Sequence, residues 1–331
     1  MTSLAGKKVL VTGADGFIGS HLTERLVAEG ADVRAFCFYN STGSWGWLDG
    51  LSPELAARME VVLGDIRDER QVREACLGVE VVFHLAALVS IPYSYAAPAS
   101  FVDTNIRGTL NILEAVRAAG CARIINTSTS EVYGTPDTVP IREDHPLKGQ
   151  SPYSATKIAA DKLCEAYALS FETPVVVLRP FNTYGPRQSA RAVIMTILSQ
   201  LLAGKQRIAL GSLEPRRDFT YVADTVDAFV RAASASIGPG EVIQLGSGRA
   251  CSVREIFDIA CRVGGVQAEI EVADARVRPR GSEVQVLLSD PSRAEERLGW
   301  RAETTLEVGI EKAATWLRDW MHRYRPDVYV T

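Results

Sequence analysis

Residues 9–22 read VLVTGADGFIGSHL, and this stretch decides the fold. An apolar run at residues 9–12 predicts a short strand, and apolar positions at helical spacing predict a helix over residues 17–29. Between them stand Gly13, Gly16 and Gly19, in a GxxGxxG spacing one residue wider than the standard dinucleotide fingerprint. Glycine permits the tight turn and lets backbone approach a pyrophosphate at the helix N-terminus. Glycines before a helix can also serve packing alone, but the strand before and the helix after favour dinucleotide binding.

Strand-like and helix-like segments alternate after this stretch. Strands are predicted at residues 31–38, 59–63, 79–85, 123–126 and 175–178, with helices at 69–76, 103–119 and 153–171. Such alternation implies a parallel sheet with helices on both faces. The sequence therefore predicts an α/β fold built on a Rossmann-type doubly wound parallel sheet.

The alternation loosens beyond residue 180. Residues 179–192 are rich in Pro, Gly and Arg and predict loop, and the strand–helix pattern returns only in part over residues 241–272. We therefore predict a dinucleotide-binding Rossmann domain over residues 1–180 and a smaller C-terminal substrate-binding lobe over residues 181–331. Some of the later chain is expected to cross back to the sheet.

Composition excludes several classes of protein. The 331 residues are 47% apolar and carry a net charge of −4, with no basic block, which argues against nucleic-acid binding. No apolar run approaches the ~20 residues of a membrane span, and residues 1–8 lack the apolar core of a signal peptide. The six cysteines form no CxxC pair and predict reduced core residues. We expect a cytoplasmic protein without a metal site.

Three further positions bear on the cofactor. Asp65 follows the third predicted strand, where it would accept a hydrogen bond from an adenine amino group or serve as a turn residue. His84 ends the fourth strand and is expected to be structural. The second strand ends in FYNS (38–41), with neither the acid that grips the ribose of NAD nor an arginine for the phosphate of NADP. The missing arginine favours NAD and leaves NADP open.

Tyr153 and Lys157 form a YxxxK pair at the start of a predicted helix. Residues four apart share one helical face, and an ammonium beside a phenol favours phenolate. We therefore expect Lys157 to lower the pKa of Tyr153 toward use as a base. Thr129, at the end of the preceding strand, is placed to hold a substrate oxygen for Tyr153.

Together GxxGxxG, Asp65, Thr129 and YxxxK resemble an extended short-chain dehydrogenase/reductase of the NAD-dependent epimerase/dehydratase family. The resemblance covers nearly the whole chain and includes the segments PFN (180–182), YGPR (184–187), RDFTYV (217–222) and RP (278–279). In this family those segments carry nucleotide-sugar contacts, so the resemblance implies a nucleotide-sugar substrate for the lobe 181–331. Arginines 187, 217 and 278 suit a diphosphate, although any one of them alone also fits plain surface solvation.

The resemblance implies roles for individual residues. Catalysis is assigned to Thr129, Ser130, Glu131, Tyr153 and Lys157. The cofactor residues are Gly13, Asp15, Gly16, Phe17, Ile18, Gly19, Asp65, Ile66, Leu85, Ala86, Ala87, Thr127, Tyr153, Lys157 and Pro180. The substrate residues are Ser90, Asn182, Arg187, Arg191, Val193, Arg217, Arg278 and Glu283.

Glu131 distinguishes two reactions within the family. Sugar epimerases of the family usually have Ser or Thr followed by two small residues at this strand end, whereas 4,6-dehydratases have Thr, then Asp or Ser, then Glu. A dehydratase must remove the C5 proton after oxidation at C4 and assist loss of the C6 hydroxyl, which an extra carboxylate can do. Ser130 is similar to the GDP-mannose type and is a poor acid, so Glu131 is expected to act as base and then as acid. The alternative is that Glu131 is a solvated loop residue without a catalytic role.

Longer stretches, including YNSTGSWGWLDG (39–50), are similar to the UDP-N-acetylglucosamine 4,6-dehydratases of legionaminic-acid-type pathways. Trp45 and Trp47 in this loop would cover the cofactor or anchor the loop. A C4 epimerase or oxidoreductase and a non-enzymatic NAD(P) sensor remain as alternatives, the sensor disfavoured by the intact Thr129, Tyr153 and Lys157. The resemblance also implies a homodimer in which the helices at 103–119 and 153–171 form a four-helix core.

Overall fold

Strand β1 (Lys8–Thr12) shows why the sheet is buried on both faces. In this computed structural model, which describes residues 4–329 apart from the side chain of Arg280, Val9 and Val11 face one apolar cluster and Leu10 faces another. A strand covered on both sides reads as a continuous apolar run, as residues 9–12 do. The outer bounds of the two predicted domains, residues 1 and 331, lie outside the described residues.

The strands follow the predicted alternation closely. After β1 the described chain forms β2 (Asp32–Phe38), β3 (Met59–Gly64), β4 (Val81–His84), β5 (Arg123–Thr127), β6 (Val175–Pro180), β7 (Asn182–Tyr184), β8 (Arg207–Leu210), β9 (Arg216–Tyr221), β10 (Val242–Leu245), β11 (Ala250–Ser252), β12 (Glu269–Val272) and β13 (Val286–Leu287).

Seven of these strands form one parallel sheet in the order β10-β6-β5-β4-β1-β2-β3. The strand order reverses between β1 and β4, and ligands of open α/β sheets bind at the carboxyl ends of the strands beside such a reversal. β10 returns from the C-terminal half to pair with β6, as the predicted crossing back requires. The predicted doubly wound fold is confirmed.

Helices cover both faces. They are α1 (Phe17–Ala28), α2 (Pro53–Ala56), α3 (Glu69–Cys76), α4 (Ile91–Ala96), α5 (Pro98–Phe101), α6 (Gly108–Ala119), α7 (Pro152–Phe171), α8 (Val193–Leu202), α9 (Val222–Ser234), α10 (Val253–Gly264), α11 (Ser292–Leu298) and α12 (Leu306–Trp320). α1 and α9 pack on the face of Val9, whereas α3, α6 and α7 pack on the face of Leu10. α7 begins at a capping box between Ser151 and Ser154 that fixes the register of the YxxxK pair.

The helix predicted over residues 103–119 differs from the structure in its first turns. Residues Val102–Arg107 form a π-helical turn, and the α-helix starts only at Gly108. The side chain of Asn105 leaves the helix to bond both backbone groups of Leu88, at 2.8 and 3.0 Å, and the hydroxyl of Thr156 at 3.0 Å. π-turns arise where such a contact interrupts the regular hydrogen-bond ladder.

The rest of the C-terminal half forms two small sheets and a helical layer. β9 pairs with β7, β11 and β13, while β8 pairs with β12. α8, α10 and α12 pack on one another beside them. This arrangement places the loops after β6, before α8 and before β13 opposite the carboxyl ends of the main sheet.

α7 bears on the predicted dimer. Leu163 and Tyr167 pack against the core of the protomer, whereas Leu169 is 80% exposed and Phe171 is 49% exposed. The homodimer therefore stays a prediction.

Within residues 4–329 no helix has both the length and the apolar character needed to cross a membrane. The same residues hold no group of three or more His, Cys, Asp or Glu side chains placed to bind a metal.

Candidate active site

A cavity of about 770 Å³ opens at the carboxyl ends of β1, β4, β5 and β6. Its floor is formed by the loops that follow these strands, and the C-terminal half supplies its other wall. Of the predicted residues, the cavity is lined by Gly13, Gly16, Phe17, Ile18, Gly19, Leu85, Ala87, Ser90, Thr127, Thr129, Ser130, Glu131, Tyr153, Lys157, Pro180, Asn182, Arg187, Arg191, Val193, Arg217, Arg278 and Glu283.

The glycine-rich turn leaves no room for side chains. Gly13 has φ +69°, and a Cβ there would lie 2.8 Å from the amide nitrogen of Ala86. A Cβ on Gly19 would lie 2.0 Å from the carbonyl oxygen of Gly13. Gly16 caps α1 without any side-chain bond to the first amides of the helix. Those amides therefore face the cavity edge with a positive end suited to a phosphate.

Thr12 and His84 join the ends of β1 and β4 beneath this turn. Thr12 Oγ1 accepts the backbone N–H groups of Leu85 and Ala86, each at 3.2 Å, and lies 2.8 Å from His84 Nδ1. Burial and the nearby Lys157 lower the pKa of His84 to about 3, so the imidazole is neutral. His84 has the structural position expected of it, and it holds residues 85–87 against the glycine turn.

Thr129, Tyr153 and Lys157 meet at the centre of the cavity floor. Lys157 Nζ donates to the carbonyl of Thr127 at 2.6 Å, and Thr129 lies beside the Tyr153 hydroxyl. Burial raises the pKa of Tyr153 to about 12; Thr129 and Arg191 oppose this shift, and Glu131 adds to it. Burial lowers the pKa of Lys157 to about 8.

Glu131 lies in a 3-10 turn, Ser130–Tyr133, directly after β5. Thr129 Oγ1 accepts its backbone N–H at 3.2 Å, which fixes the turn. Its side chain lines the cavity and interacts electrostatically with Tyr153 and Arg217. Within residues 4–329 the carboxylate has no hydrogen-bond or ion-pair partner, so both oxygens are available to a ligand.

The opposite wall is rich in arginine. Glu283 is shared by Arg217, at 3.2 Å, and Arg278, at 3.8 Å. Arg187 binds Glu24 of α1 at 2.8 Å, and Arg191 has no ion-pair partner in the described part of the chain. Four guanidinium groups beside two carboxylates, Glu283 and Glu24, leave excess positive charge, which suits a diphosphate.

Several buried polar atoms on this wall have no hydrogen-bond partner among the described residues. They include Nη1 of Arg187, Nη1 of Arg278 and Nδ2 of Asn182. A buried donor without an acceptor costs free energy unless water or a ligand satisfies it. These three donors line the cavity, so its contents are expected to supply oxygen acceptors.

Most of the chain matches a known protein family. The family model described as GDP-mannose 4,6 dehydratase matches residues 10–313. The chain belongs to the NAD-dependent epimerase/dehydratase family. It has the extended short-chain dehydrogenase/reductase fold, as the sequence resemblance indicated.

Members of this family with different reactions are similar to the chain. The UDP-glucose 4-epimerase of Mycolicibacterium smegmatis is 36% identical, with 94% of this chain and 99% of the relative covered. The dTDP-glucose 4,6-dehydratase of an Actinoplanes species is 33% identical, with 94% and 98% covered. The solved dTDP-glucose 4,6-dehydratase of Streptomyces venezuelae, with NAD bound, has a TM-score of 0.86 at 27% identity, with 96% and 99% covered. The family is enzymatic and acts on nucleotide sugars with NAD, and its members include both 4-epimerases and 4,6-dehydratases.

Four predicted cofactor residues do not line the cavity. The Asp65 carboxylate pairs with Arg67, which lowers its pKa, so the adenine contact stays a prediction. Ile66 is a core side chain beneath Gly108 of α6, and Ala86 packs under Gly13. The backbone carbonyl of Asp15 accepts a hydrogen bond from the Trp47 amide at 3.1 Å. Of these four residues, Ala86 packs against the glycine turn and Asp15, within that turn, holds the Trp47 loop.

One expectation from sequence is wrong. Lys157 was expected to lower the pKa of Tyr153, but burial raises that pKa and Lys157 makes no resolved contribution to it. The ammonium instead binds the carbonyl of Thr127. Sharing a helical face does not fix where a long side chain ends, and here the strand carbonyl takes the lysine.

Trp47 was expected either to cover the cofactor or to anchor its loop. Trp47 lines the cavity and also packs edge-on against Trp316 and Trp320 of α12, at 5.5 and 5.9 Å between ring centres. It therefore both borders the cavity and anchors its loop. Arg276 and Tyr329 line the far end, with the guanidinium 4.7 Å from the ring centre. Neither residue was predicted, although Arg276 stands only two residues before Arg278 in the sequence.

Proposed function

We propose that this protein is an NAD-dependent nucleotide-sugar 4,6-dehydratase. The observation that carries the proposal is the free Glu131 carboxylate, held on the cavity floor beside Tyr153 by the turn that Thr129 caps. A C4 epimerase has no step that needs a second carboxylate next to the reacting carbons. A dehydratase needs one to take the C5 proton.

NAD fits the residues at the glycine turn. The missing side chains of Gly13 and Gly19 leave the backbone free to approach a pyrophosphate, and the unbonded first amides of α1 point toward it. The rest of the NAD molecule would be held by residues 85–87, Thr127, Lys157 and Pro180. When bound, NAD supplies a reversible two-electron oxidation of the sugar and is regenerated in each turnover. NADP is the less favoured cofactor because no arginine follows β2.

Tyr153 and Thr129 act on the 4-hydroxyl of the sugar. Tyr153 takes the proton from this oxygen as general base, while Thr129 donates a hydrogen bond to the same atom. The raised pKa of Tyr153 means that the phenol needs added positive charge nearby to ionise, and Arg191 already acts in that direction. Lys157 holds the strand end of Thr127 and presents its remaining N–H groups to the cavity.

Glu131 carries the elimination. A carbonyl at C4 makes the C5 proton acidic, and the Glu131 carboxylate removes it. The resulting carboxylic acid then protonates the C6 hydroxyl, which leaves as water while a double bond forms between C5 and C6. The hydride removed from C4 would return to C6 and a solvent proton would be added at C5, giving the 4-keto-6-deoxy sugar. Ser130, buried at the same turn, is placed to hydrogen-bond the departing oxygen. One residue therefore serves as base and then as acid, because serine is a poor proton donor.

The substrate is proposed to be a hexose linked to a nucleoside diphosphate, with UDP-N-acetylglucosamine the best candidate. Arginines 187, 191, 217 and 278 would bind the diphosphate, with Asn182 and Ser90 nearer the sugar. Val193 and Glu283 complete this wall, Glu283 by orienting the two arginines that it binds.

A nucleotide-sugar C4 epimerase is the second candidate, supported by the identity to the M. smegmatis 4-epimerase. In that case Glu131 would be idle. The non-enzymatic sensor is not supported, because it would have no need of the Thr129–Tyr153–Lys157 group.

The deciding experiment is mass spectrometry of the purified protein incubated with NAD and a panel of UDP-, GDP-, CDP- and dTDP-hexoses. Loss of one water from one nucleotide sugar, without accumulation of reduced cofactor, is the expected result. Inversion at C4 with no loss of water would replace the proposal with the epimerase. Steady accumulation of reduced cofactor matched to product would indicate a net oxidase.

A further inference from the structure

Behind the cavity floor, one turn of α7 beyond Lys157, lies a buried ion pair. Asp161 Oδ2 accepts a hydrogen bond from Arg179 Nε at 3.0 Å, and the two side chains are only 4% and 5% exposed. The other ion pairs of the described residues each have at least one partner with more than a tenth of its side chain exposed, so this pair stands apart.

A buried ion pair needs a reason, because two charges lose their hydration and the mutual attraction often does no more than offset that loss. Arg179 satisfies part of its fork with the Tyr133 hydroxyl at 3.0 Å and the Glu143 carbonyl at 3.3 Å. Asp161 is less satisfied, since the neighbour of its buried Oδ1 is the neutral hydroxyl of Ser128 and, among the described residues, no second cation bonds to that oxygen. The carboxylate therefore has capacity left for a second positive charge.

That second charge is Lys157. It lies four residues before Asp161, on the same face of α7, and it is 5% exposed. Its Nζ has one hydrogen bond, to the Thr127 carbonyl, which is a neutral acceptor. Asp161 interacts with it electrostatically. Tyr153, Lys157 and Asp161 thus form a row at positions i, i+4 and i+8.

The charged and titratable groups around Lys157 come from three elements. Asp161 and Cys164 lie on its own helix, His84 lies on β4, and Arg179 reaches in from β6 through its bond to Asp161. His84 is neutral, and burial raises the pKa of the Cys164 thiol, so that thiol is neutral as well. Burial raises the pKa of Asp161 too, but Arg179, a hydrogen bond from Ser128 and Lys157 oppose this, and the two cations together favour the carboxylate. Asp161 is thus the anion that faces the lysine.

We propose that Asp161 is a positioning residue that acts through Lys157, supplying the counter-charge that keeps the buried lysine in its ammonium form. Arg179 holds the carboxylate in place and limits its effect. The consequence for catalysis rests on the proposed function, because only an ammonium keeps three donors for the Thr127 carbonyl and the cavity. Burial alone would favour the uncharged amine.

The test measures Lys157 directly, apart from turnover. The protein is labelled with lysine carrying carbon-13 at the ε position, saturated with NAD, and titrated by NMR, with Lys157→Met identifying the resonance. The Asp161→Asn variant keeps the shape and an acceptor for Arg179 but removes the charge. Its Lys157 midpoint should fall by roughly one pH unit, the low end of the ~1–3 units for a neighbouring opposite charge. Glu165→Gln is the matched control, an exposed carboxylate one turn further along α7, and should leave the midpoint unchanged.

A second variant gives the opposite sign and covers a failure of Asp161→Asn to fold. Arg179→Gln removes the competing cation but still offers an N–H donor to Asp161, so the carboxylate, left with Lys157 as its cation, should raise the Lys157 midpoint. An unchanged midpoint in Asp161→Asn, or an unchanged or lowered midpoint in Arg179→Gln, would overturn the proposal. The alkaline limb of the kcat/KM profile should move with the midpoint in each variant. If no nucleotide sugar is turned over, the proposed function fails while the NMR titration still decides the role of Asp161.

Discussion

Replacing Glu131 by Gln separates the two halves of the proposed reaction. Glutamine keeps the shape of the side chain and removes both the base and the acid. Oxidation at C4 depends on Thr129, Tyr153 and Lys157, so it should survive the change. Elimination depends on the carboxylate, so the variant should accumulate a 4-keto sugar whose C6 hydroxyl is still present.

The size of the effect follows from what Glu131 touches. Its carboxylate has no hydrogen bond or ion pair within residues 4–329, so the free energy of unfolding should change by less than ~0.5 kcal/mol, as for an unpaired surface position. Loss of a general base slows its step by ~10²–10⁴-fold. At about 1.36 kcal/mol for each factor of ten, this is roughly 2.7–5.4 kcal/mol of barrier. The loss should therefore appear in the rate of elimination and not in stability.

The assay is a single-turnover quench followed by borodeuteride reduction and mass spectrometry. A 4-keto sugar that retains O6 gains one deuterium and loses no water, which distinguishes it from substrate and product. In deuterium oxide the wild-type product should carry solvent deuterium at C5. Tyr153→Phe is the comparison variant and should form no keto sugar, because the proton cannot leave O4. Normal turnover by Glu131→Gln, with deuterium still entering C5, would show that the base lies elsewhere.

Four further outcomes are expected. Gly19→Ala should abolish retention of NAD by the folded protein in a dialysis assay, because the added Cβ would lie 2.0 Å from the Gly13 carbonyl oxygen. Gly238→Ala is the control and should retain NAD, because its Cβ meets nothing within 4 Å. Thr12→Val should cost roughly 2–6 kcal/mol in urea unfolding, since the Ala86 amide and His84 Nδ1 lose their partner at ~1–3 kcal/mol for each buried group, while the Leu85 amide keeps its bond to the Thr12 carbonyl; Thr12→Ser should recover most of the loss. The pKa of His84 lies at about 3, below its ordinary 6.5, so the folded state binds fewer protons than the unfolded chain; stability should fall as pH drops from about 6.5 toward 3, and a flat acid limb would contradict this. Sedimentation at micromolar concentration should give a dimer mass that drops when charge is placed on the exposed end of α7, and a monomeric wild type would reject the pairing.

The sequence predicted the regular elements well where their hydrophobic pattern was strong. The helix over residues 69–76 has the predicted bounds because Asp68 caps it and its apolar residues share one face. The π-turn at Val102–Arg107 was missed, because it depends on the contact of Asn105 with Leu88, seventeen residues away in the chain. Periodicity within one segment carries no information about such a partner.

The candidate site was predictable to the extent that its residues follow strands. Thr129 and Glu131 follow β5, and the carboxyl ends of parallel strands meet at one edge of the sheet. Contacts across the cavity were not predictable, as with the bond between Arg187 and Glu24, 163 residues apart. The hydrogen-bond partner of Lys157 was not predictable for the same reason, because it is a backbone carbonyl that has no signature in the sequence.

The packing of Trp47 on α12 has a consequence for the order in which this protein matures. The ribosome releases Trp47 first and the two tryptophans of α12 about 270 residues later, so the loop that borders the cavity has no support while most of the chain is being made. The edge strand β10 also joins the sheet late, long after β6. Firm retention of NAD should thus be among the last properties that a nascent molecule acquires. Nicotinamide that copurifies with the protein would then report that synthesis and folding had both reached completion.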